Sequence, residues 1–140
     1  MKEIGFKTGR RILKIGNRLN YMRTIDLEQK KLTPAQSDTM IYFASNEGMS
    51  AADLAKHLEI THQAARNIVE RLKSKNYLYT AASKNDGRVN SVYLTEDGKK
   101  IYALLKETGG KVGDVLLQGF SEAEKEQLFS FLERISENIK

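Results

Sequence analysis

The sequence contains no cysteine and only one proline in 140 residues. The absence of cysteine excludes disulfide bonds, cysteine-ligated zinc and thiol redox sensing, and it fits a reducing compartment. No apolar run approaches the ~18 residues that a membrane-spanning helix needs, and no signal-peptide pattern opens the chain. With 40% apolar and 29% charged residues, the composition is that of an ordinary globular protein. We therefore expect a cytoplasmic globular chain with no membrane partner.

Basic and acidic residues are unevenly distributed along the chain, whose net charge is +5. Residues 1–31 hold nine bases against three acids, and residues 56–91 hold seven against three. From residue 114 onward the balance reverses, with six acids against three bases. Two basic zones and an acidic end are typical of a nucleic-acid binder with a dimerisation region. An unevenly charged solvated surface is the alternative.

Hydrophobic periodicity and capping residues predict six helices, the first of them within the first thirty residues. We expect Gly48 to end the second helix and Asn76 to end the fourth in a left-handed conformation. The pair Gly109 and Gly110 is expected to bend or weaken the fifth helix. The residues expected to cap the later helices are Thr33, Ser50, Thr61, Thr95 and Ser121.

Between the fourth and fifth helices the apolar period changes from that of a helix to that of a strand. Residues 77–83 and 89–94 predict two strands, and residues 84–88 have the composition of a hairpin turn. The predicted fold class is therefore mostly α with a small β-hairpin wing, an α+β winged helix-turn-helix.

Residues 54–72 meet the packing demands of a helix-turn-helix. Ala55 stands where two helices cross closely, and Ile60 is the apolar residue that fills the turn. Glu59 stands where such turns often carry glycine, so we expect the turn to use a geometry that glutamate tolerates. A helical pair from an unrelated bundle could imitate this pattern.

Hydrogen-bonding side chains occupy the outward face at the start of the second of these helices. Arginine can bind O6 and N7 of guanine, and glutamine or asparagine can bind N6 and N7 of adenine. For the histidine in this set, a surface residue without a role is the alternative. The predicted base-reading residues are Thr61, His62, Gln63, Arg66 and Asn67. The predicted phosphate contacts are Ser50, Arg71, Lys73 and Lys75, of which the three basic residues have a solvated surface charge as the alternative.

The predicted hairpin adds a second basic probe. Lys84 and Arg88 flank its tip, and a ribbon of this shape fits the minor groove, where a narrow A·T-rich groove attracts arginine. Asp86 could brace Arg88 through a bidentate ion pair. A solvated turn is the alternative, but a helix-turn-helix followed by a basic hairpin is rarer by chance than either feature alone. We therefore predict that the chain binds double-stranded DNA.

Five short motifs are spread over the chain: LTPAQ at 32–36, ADLA at 52–55, VERLKSK at 69–75, DGR at 86–88 and LTEDG at 94–98. Together with the order of helices, they resemble the MarR (multiple antibiotic resistance regulator) family of winged-helix transcription factors. The wing followed by the LTEDG motif is the most specific part of this resemblance, which covers nearly the whole chain.

The resemblance implies a homodimer that regulates transcription. Residues 32–94 would form the DNA-binding region, and residues 1–31 and 95–140 the helical dimerisation region. Two recognition helices would enter successive major grooves of a pseudo-palindromic operator. Repression, less often activation, would be modulated by a small aromatic or anionic effector. The candidate effector residues, taken from the expected position of the first two helices, are Arg11, Tyr21 and Phe43.

The sequence departs from the family pattern at the DNA-binding surface. Gly87 replaces a frequent arginine in the wing, and Asn67 stands where an arginine is frequent. The family's base preferences are therefore not carried over to these positions. Without cysteine the chain falls outside the peroxide-sensing branch, and with only His57 and His62 we expect no histidine-rich zinc site.

An enzyme and a protein-binding adaptor are the alternatives to a DNA-binding regulator. The sequence holds no HExxH motif and no glycine-rich phosphate loop, and its two histidines lie in the predicted DNA-binding module. We therefore predict no catalytic activity, no metal and no cofactor. A winged-helix adaptor would bind a protein through the outer face of the recognition helix, a role against which Arg66 and Arg88 argue.

Overall fold

The computed structural model describes residues 2–82 and 90–140, and these form six α-helices and one antiparallel hairpin. The predicted fold class is confirmed. The helices are α1 (Lys2–Gln29), α2 (Pro34–Ser45), α3 (Ala51–Leu58), α4 (His62–Ser74), α5 (Glu96–Leu116) and α6 (Glu122–Asn138). The strands are β1 (Leu78–Ala82) and β2 (Asn90–Leu94).

Helices begin after the predicted capping residues. Thr33, Ser50 and Ser121 each form a capping box, in which the side chain accepts the N3 backbone N–H and the N3 side chain accepts the backbone N–H of the cap. The side chain of Thr61 accepts a backbone N–H in the first turn of α4. In the last capping box, the backbone N–H of Ser121 and then its hydroxyl hold the pKa of Glu124 below its usual value.

Helix ends follow the sequence less closely. Asn76 has φ 65°, as predicted for the residue that stops α4. Helix α2 ends at Ser45, before Gly48, whose N–H instead donates to the carbonyl of Val92 at 2.9 Å. Helix α5 is not interrupted at the glycine pair 109–110. Glycine lowers helix propensity without removing backbone hydrogen bonds, so the flanking helix formers carry α5 through the pair.

The chain divides into two compact units, one running to Tyr102 and the other beginning at Ala103. The boundary falls inside α5. The core of the first unit consists of apolar side chains from α2, α3, α4 and the hairpin. The largest fully buried apolar residues are Met40, Phe43, Leu54, Leu72 and Val92.

The hairpin is held to the rest of the first unit by an additional backbone pairing. Leu78 pairs with Leu94 and Ala82 with Asn90 along the two strands. The N–H of Val92 donates to the carbonyl of Met49 at 2.9 Å, beside the bond from Gly48. The segment before α3 thus pairs with the hairpin and fixes where its base lies beside the helix-turn-helix.

Large apolar side chains remain exposed on α1 and in the second unit. Nineteen are exposed among the described residues, eight of them on α1 and eight from residue 104 onward, against three in the region 32–94. Helix α6 has no buried residue. Within the described ranges, no helix is both long and apolar enough to cross a membrane.

Candidate nucleic-acid interface

Small and apolar residues set the crossing of α3 and α4. Leu54 and Ala65 have no exposed surface, and Ala55 is buried. The two alanines let the helix backbones approach closely, as a helix-turn-helix requires. Ile60 is half-buried in the turn, and its N–H donates to the carbonyl of Ala55 at 3.0 Å, closing the end of α3.

Glu59 adopts the left-handed conformation in this turn, with φ 57° and ψ 46°. The expectation that the turn would use a geometry suited to glutamate is therefore wrong. Its backbone N–H reaches the carbonyls of Ala55 and Lys56, which satisfies the helix end although the backbone is strained. Tertiary packing of α3 on α4 thus overrides the local preference of glutamate.

The five predicted base-reading residues all lie exposed at the start of α4. The inward positions of the same helix hold Ala65 and Val69, both buried. The outward set is therefore a continuous polar surface at the N-terminal end of α4, the predicted recognition helix, where the helix dipole also favours an anion. These residues are Thr61, His62, Gln63, Arg66 and Asn67.

Three of these side chains form a hydrogen-bonded chain. Nη2 of Arg66 donates to Oε1 of Gln63 at 3.3 Å. Nε2 of Gln63 in turn donates to Oδ1 of Asn67 at 2.9 Å. This network did not follow from the composition of the helix, although the three- and four-residue spacing on one helix face permits it.

A cleft of about 240 Å³ lies between the start of α3, the recognition helix and the hairpin. Ser50 lines it, with a hydroxyl that donates to Oδ2 of Asp53 at 3.0 Å and accepts the N–H of Asp53 at 3.2 Å. Arg66 and Glu70 line the same cleft from α4, and Thr80 lines it from the hairpin. The predicted phosphate contact Ser50 is therefore already engaged by the cap of α3.

Two predicted phosphate contacts, Lys73 and Lys75, have partners within the protein. Nζ of Lys73 lies 3.3 Å from both Glu70 and Thr80, so it links α4 to β1. Nζ of Lys75 donates to the backbone carbonyl of Lys31. An ammonium group has three N–H donors, so each can also contact a phosphate. Arg71 is exposed.

The hairpin stem is described, and its tip is not. Lys84, Asp86 and Arg88 lie outside the described residues. On the stem, the rings of Tyr79 and Tyr93 stack with centroids 5.5 Å apart.

The LTEDG motif joins the end of the recognition helix to the start of α5. Thr95 Oγ1 donates to the carbonyl of Asn76 at 2.6 Å and accepts the N–H of Gly98 at 2.9 Å. The Asn76 amide also donates to Asp97 at 3.0 Å. A Cβ at Gly98 would lie 2.0 Å from the carbonyl oxygen of Tyr77. The bond from Gly98 confirms the predicted cap at Thr95. The contacts with Asn76 did not follow from the sequence, because they join residues about twenty positions apart.

The three candidate effector residues do not form one site within a single chain. Phe43 has no exposed surface, and its ring packs edge-on against Tyr42 with centroids 5.2 Å apart, so it is a core residue. Arg11 and Tyr21 are both exposed on α1, ten residues apart, which separates them by about 15 Å along the helix axis. Burial, followed by the charge of Asp53, raises the pKa of Tyr42 above its usual value.

Within residues 2–82 and 90–140, no group of three or more histidine, cysteine, aspartate or glutamate side chains is placed to hold a metal ion.

Comparison with known proteins gives one consistent result. A sequence model described as the MarR family matches residues 30–89. The HTH-type transcriptional regulator YybA of Bacillus subtilis is 26% identical over 131 residues, which are 94% of this chain and 87% of that protein.

Solved structures agree with the sequence comparison. A putative MarR family regulator from Listeria monocytogenes, solved with a 26mer DNA, is 25% identical and has a TM-score of 0.82, with 93% of this chain and 87% of that one covered. FabT of Streptococcus pneumoniae, solved with DNA, is 20% identical with a TM-score of 0.82, and 96% of this chain and 98% of that one are covered. The likeness to FabT, at 20% identity, is evidence for the fold alone.

Proposed function

Because the chain belongs to the MarR family of winged helix-turn-helix regulators, we propose that it binds operator DNA as a homodimer and regulates transcription. The main support for DNA binding is the polar surface formed by Thr61, His62, Gln63, Arg66 and Asn67. These side chains, exposed at the start of the recognition helix, offer the donors and acceptors that read base edges in the major groove. The Listeria monocytogenes relative solved with a 26mer DNA supports this use of the fold.

Exposed apolar side chains support the proposed dimer. A monomer rarely leaves so much apolar surface in contact with water, and here it is concentrated on α1 and from residue 104 onward. We propose that residues 1–31 and 95–140 of two copies pack together and that residues 32–94 bind DNA. The basic charge of residues 1–31 and the acidic charge after residue 114 favour contact between copies.

Dimer symmetry determines the form of the proposed operator. Two identical recognition helices read two half-sites of a pseudo-palindrome, spaced by one helical turn of DNA, about 34–36 Å. The hairpin of each copy would then reach the adjacent minor groove with Lys84 and Arg88.

Repression modulated by a small molecule is the regulatory mode that we propose. A bound dimer would obstruct the promoter, and an aromatic or anionic effector would lower its affinity for DNA. Arg11 is exposed on α1, and Phe6 and Lys14 are exposed on the same helix about one turn away on either side. Apolar and basic side chains on one helix face suit an aromatic anion better than a neutral polar ligand.

A mobility-shift assay tests DNA binding directly. The chain is titrated at physiological salt against the promoter DNA of its own gene and against random duplex of equal length. We expect the promoter fragment to bind at least about a thousandfold more tightly, the lower end of specific over non-specific affinity. Equal affinity for the two duplexes would contradict a sequence-specific regulator, and the adaptor alternative would then gain support.

A further inference from the structure

Gln63 lies at the centre of the recognition surface, and its amide is engaged by a neighbour on each side. Its amide oxygen accepts from Nη2 of Arg66 at 3.3 Å, and its amide nitrogen donates to Oδ1 of Asn67 at 2.9 Å. Reading adenine with two hydrogen bonds takes one acceptor from the amide oxygen and one donor from the amide nitrogen of the same side chain. The oxygen has two lone pairs and the nitrogen two N–H groups, so the two contacts leave Gln63 with half of its donors and acceptors for a base.

Arg66 fixes the direction of both hydrogen bonds in this network. A guanidinium group only donates, so Gln63 must present its oxygen to Arg66. The amide nitrogen of Gln63 then faces Asn67, which must present its own oxygen in return. Asn67 thereby keeps both amide N–H groups, which point away from Gln63, whereas its oxygen keeps only one lone pair. The surface formed by the three residues therefore offers more hydrogen-bond donors than acceptors to the DNA.

We propose that Gln63 is a positioning residue that holds Arg66 and sets the polarity of Asn67, and so selects the bases that the helix reads. The proposal rests on the proposed DNA-binding function. Arg66 retains four of its five N–H groups and can donate two to O6 and N7 of guanine. Asn67 donates to a keto oxygen, which selects guanine or thymine over adenine or cytosine.

Selection of binding sequences from a pool of random duplexes tests the proposal. The wild-type dimer should enrich guanine at one position of each half-site, by about 5- to 150-fold over other bases, and a keto base at a neighbouring position. Arg66→Ala should abolish the guanine preference. Gln63→Ala should weaken the same preference by about 2- to 12-fold. Without Gln63 the side chain of Arg66 is free in the unbound protein, and DNA binding must then immobilise it.

Gln63→Glu separates positioning from direct contact. Glutamate still accepts from Arg66, so guanine should remain selected, although the added negative charge lowers affinity for every duplex. Glutamate has no donor for Asn67, whose amide must then turn and present its oxygen to the DNA. The preference at the neighbouring position should reverse from guanine or thymine to adenine or cytosine.

Arg71→Ala is the control for a general loss of affinity. It removes a positive charge from the same helix, so binding should weaken about equally for all sequences while the selected bases stay the same. The positioning role is wrong if Gln63→Ala erases a preference at a third position, outside the guanine position and the neighbouring keto position, since Gln63 would then contact a base itself. If the wild-type protein enriches no sequence, the proposed function fails together with this proposal.

Discussion

At the residue scale, close backbone contacts decide which side chains the first unit tolerates. The first turn of α5 passes so near the end of the recognition helix that a Cβ at Gly98 would lie 2.0 Å from the carbonyl oxygen of Tyr77. That carbonyl is not a flexible group, because it accepts the N–H of Thr95 at 3.1 Å. Position 98 therefore requires glycine for space, and its backbone needs no unusual φ.

Gly98→Ala should destabilise the protein by about 3 kcal/mol or more, because relieving the clash moves either α5 or the end of the recognition helix. Urea unfolding followed by circular dichroism measures the change. Gly109→Ala is the matched control, since a Cβ there meets nothing within 4 Å. Alanine at that helical position should stabilise the protein by about 1 kcal/mol. Similar stability changes for the two variants would contradict the close contact at position 98.

Glu59→Gly should stabilise the protein by about 0.5–1 kcal/mol. Glutamate at φ 57° bears the steric cost of the left-handed conformation, and glycine does not. The free energy of unfolding is measured for the variant and for Glu59→Ala, which removes the charge but keeps the Cβ. The gain should occur with glycine alone. If alanine stabilises the protein equally, the effect comes from the charge and the backbone is not strained.

At the element scale, the sequence predicts the features that depend on neighbouring residues. The caps at Thr33, Ser50 and Ser121 and the span of α3 were confirmed because each depends on residues three or four positions apart. The conformation of Glu59 was missed because the packing of two helices imposes it. The link from Lys75 to the carbonyl of Lys31 was also missed, since it joins residues 44 positions apart.

In the candidate site, too, the sequence predicts what depends on neighbouring residues and misses what depends on distant contacts. Periodicity placed Arg66 and its polar neighbours on the outward face of α4, since the inward positions are apolar. It did not predict that Lys73 connects α4 to β1, because this contact depends on how the hairpin folds back. Phe43 was assigned to an effector site from its expected location and is instead a fully buried core residue. An apolar residue on a helix does not reveal whether it faces a core or a cleft.

The hairpin is predicted to act as a separate reader of the minor groove. Arg88→Ala should weaken binding, with the largest loss on operators that have A·T-rich flanks, because a narrow minor groove concentrates negative potential. The slope of log affinity against log salt should decrease in magnitude by about one. Mobility shifts over a salt series, with A·T-rich and G·C-rich flanks, measure both effects.

Lys140→Ala is the control for the loss of one charge, since it lies at the acidic end of the sequence. Its affinity for DNA should remain close to that of the wild type. An equal loss for Arg88→Ala on both kinds of flank would mean that the wing makes a simple charge contact and reads no groove shape.

At the scale of the whole molecule, the two ends of the chain and its centre differ in how they treat apolar side chains. The centre buries them: Met40, Phe43 and Leu54 have no exposed surface. Helix α6 repeats apolar residues at helical spacing and buries none of them. A regular apolar face without a partner in its own chain is best explained by a partner in a second copy, as the proposed dimer requires.

Leu132→Glu should therefore convert the protein from dimer to monomer. Leu132 is 46% exposed on α6, and a carboxylate there would have to be buried in the proposed interface. Sedimentation equilibrium should give twice the chain mass of 15.9 kDa for the wild type and the chain mass for the variant. The two linked copies of a dimer bind the two half-sites of the operator with avidity, which a monomer loses. The affinity of the variant for the full operator should therefore fall by about 10²–10⁴-fold. Binding to an isolated half-site should change little.

Ile41→Glu is the matched control, since Ile41 is 44% exposed but lies on α2, within the region 32–94. It introduces the same charge at similar exposure and should remain a dimer. Circular dichroism checks that both variants keep their helical content, so that loss of assembly is not confused with unfolding. A dimeric Leu132→Glu variant, or a monomer that binds the full operator as tightly as the wild type, would contradict the interface. In either case the spacing of the two half-sites would have to be set by another surface.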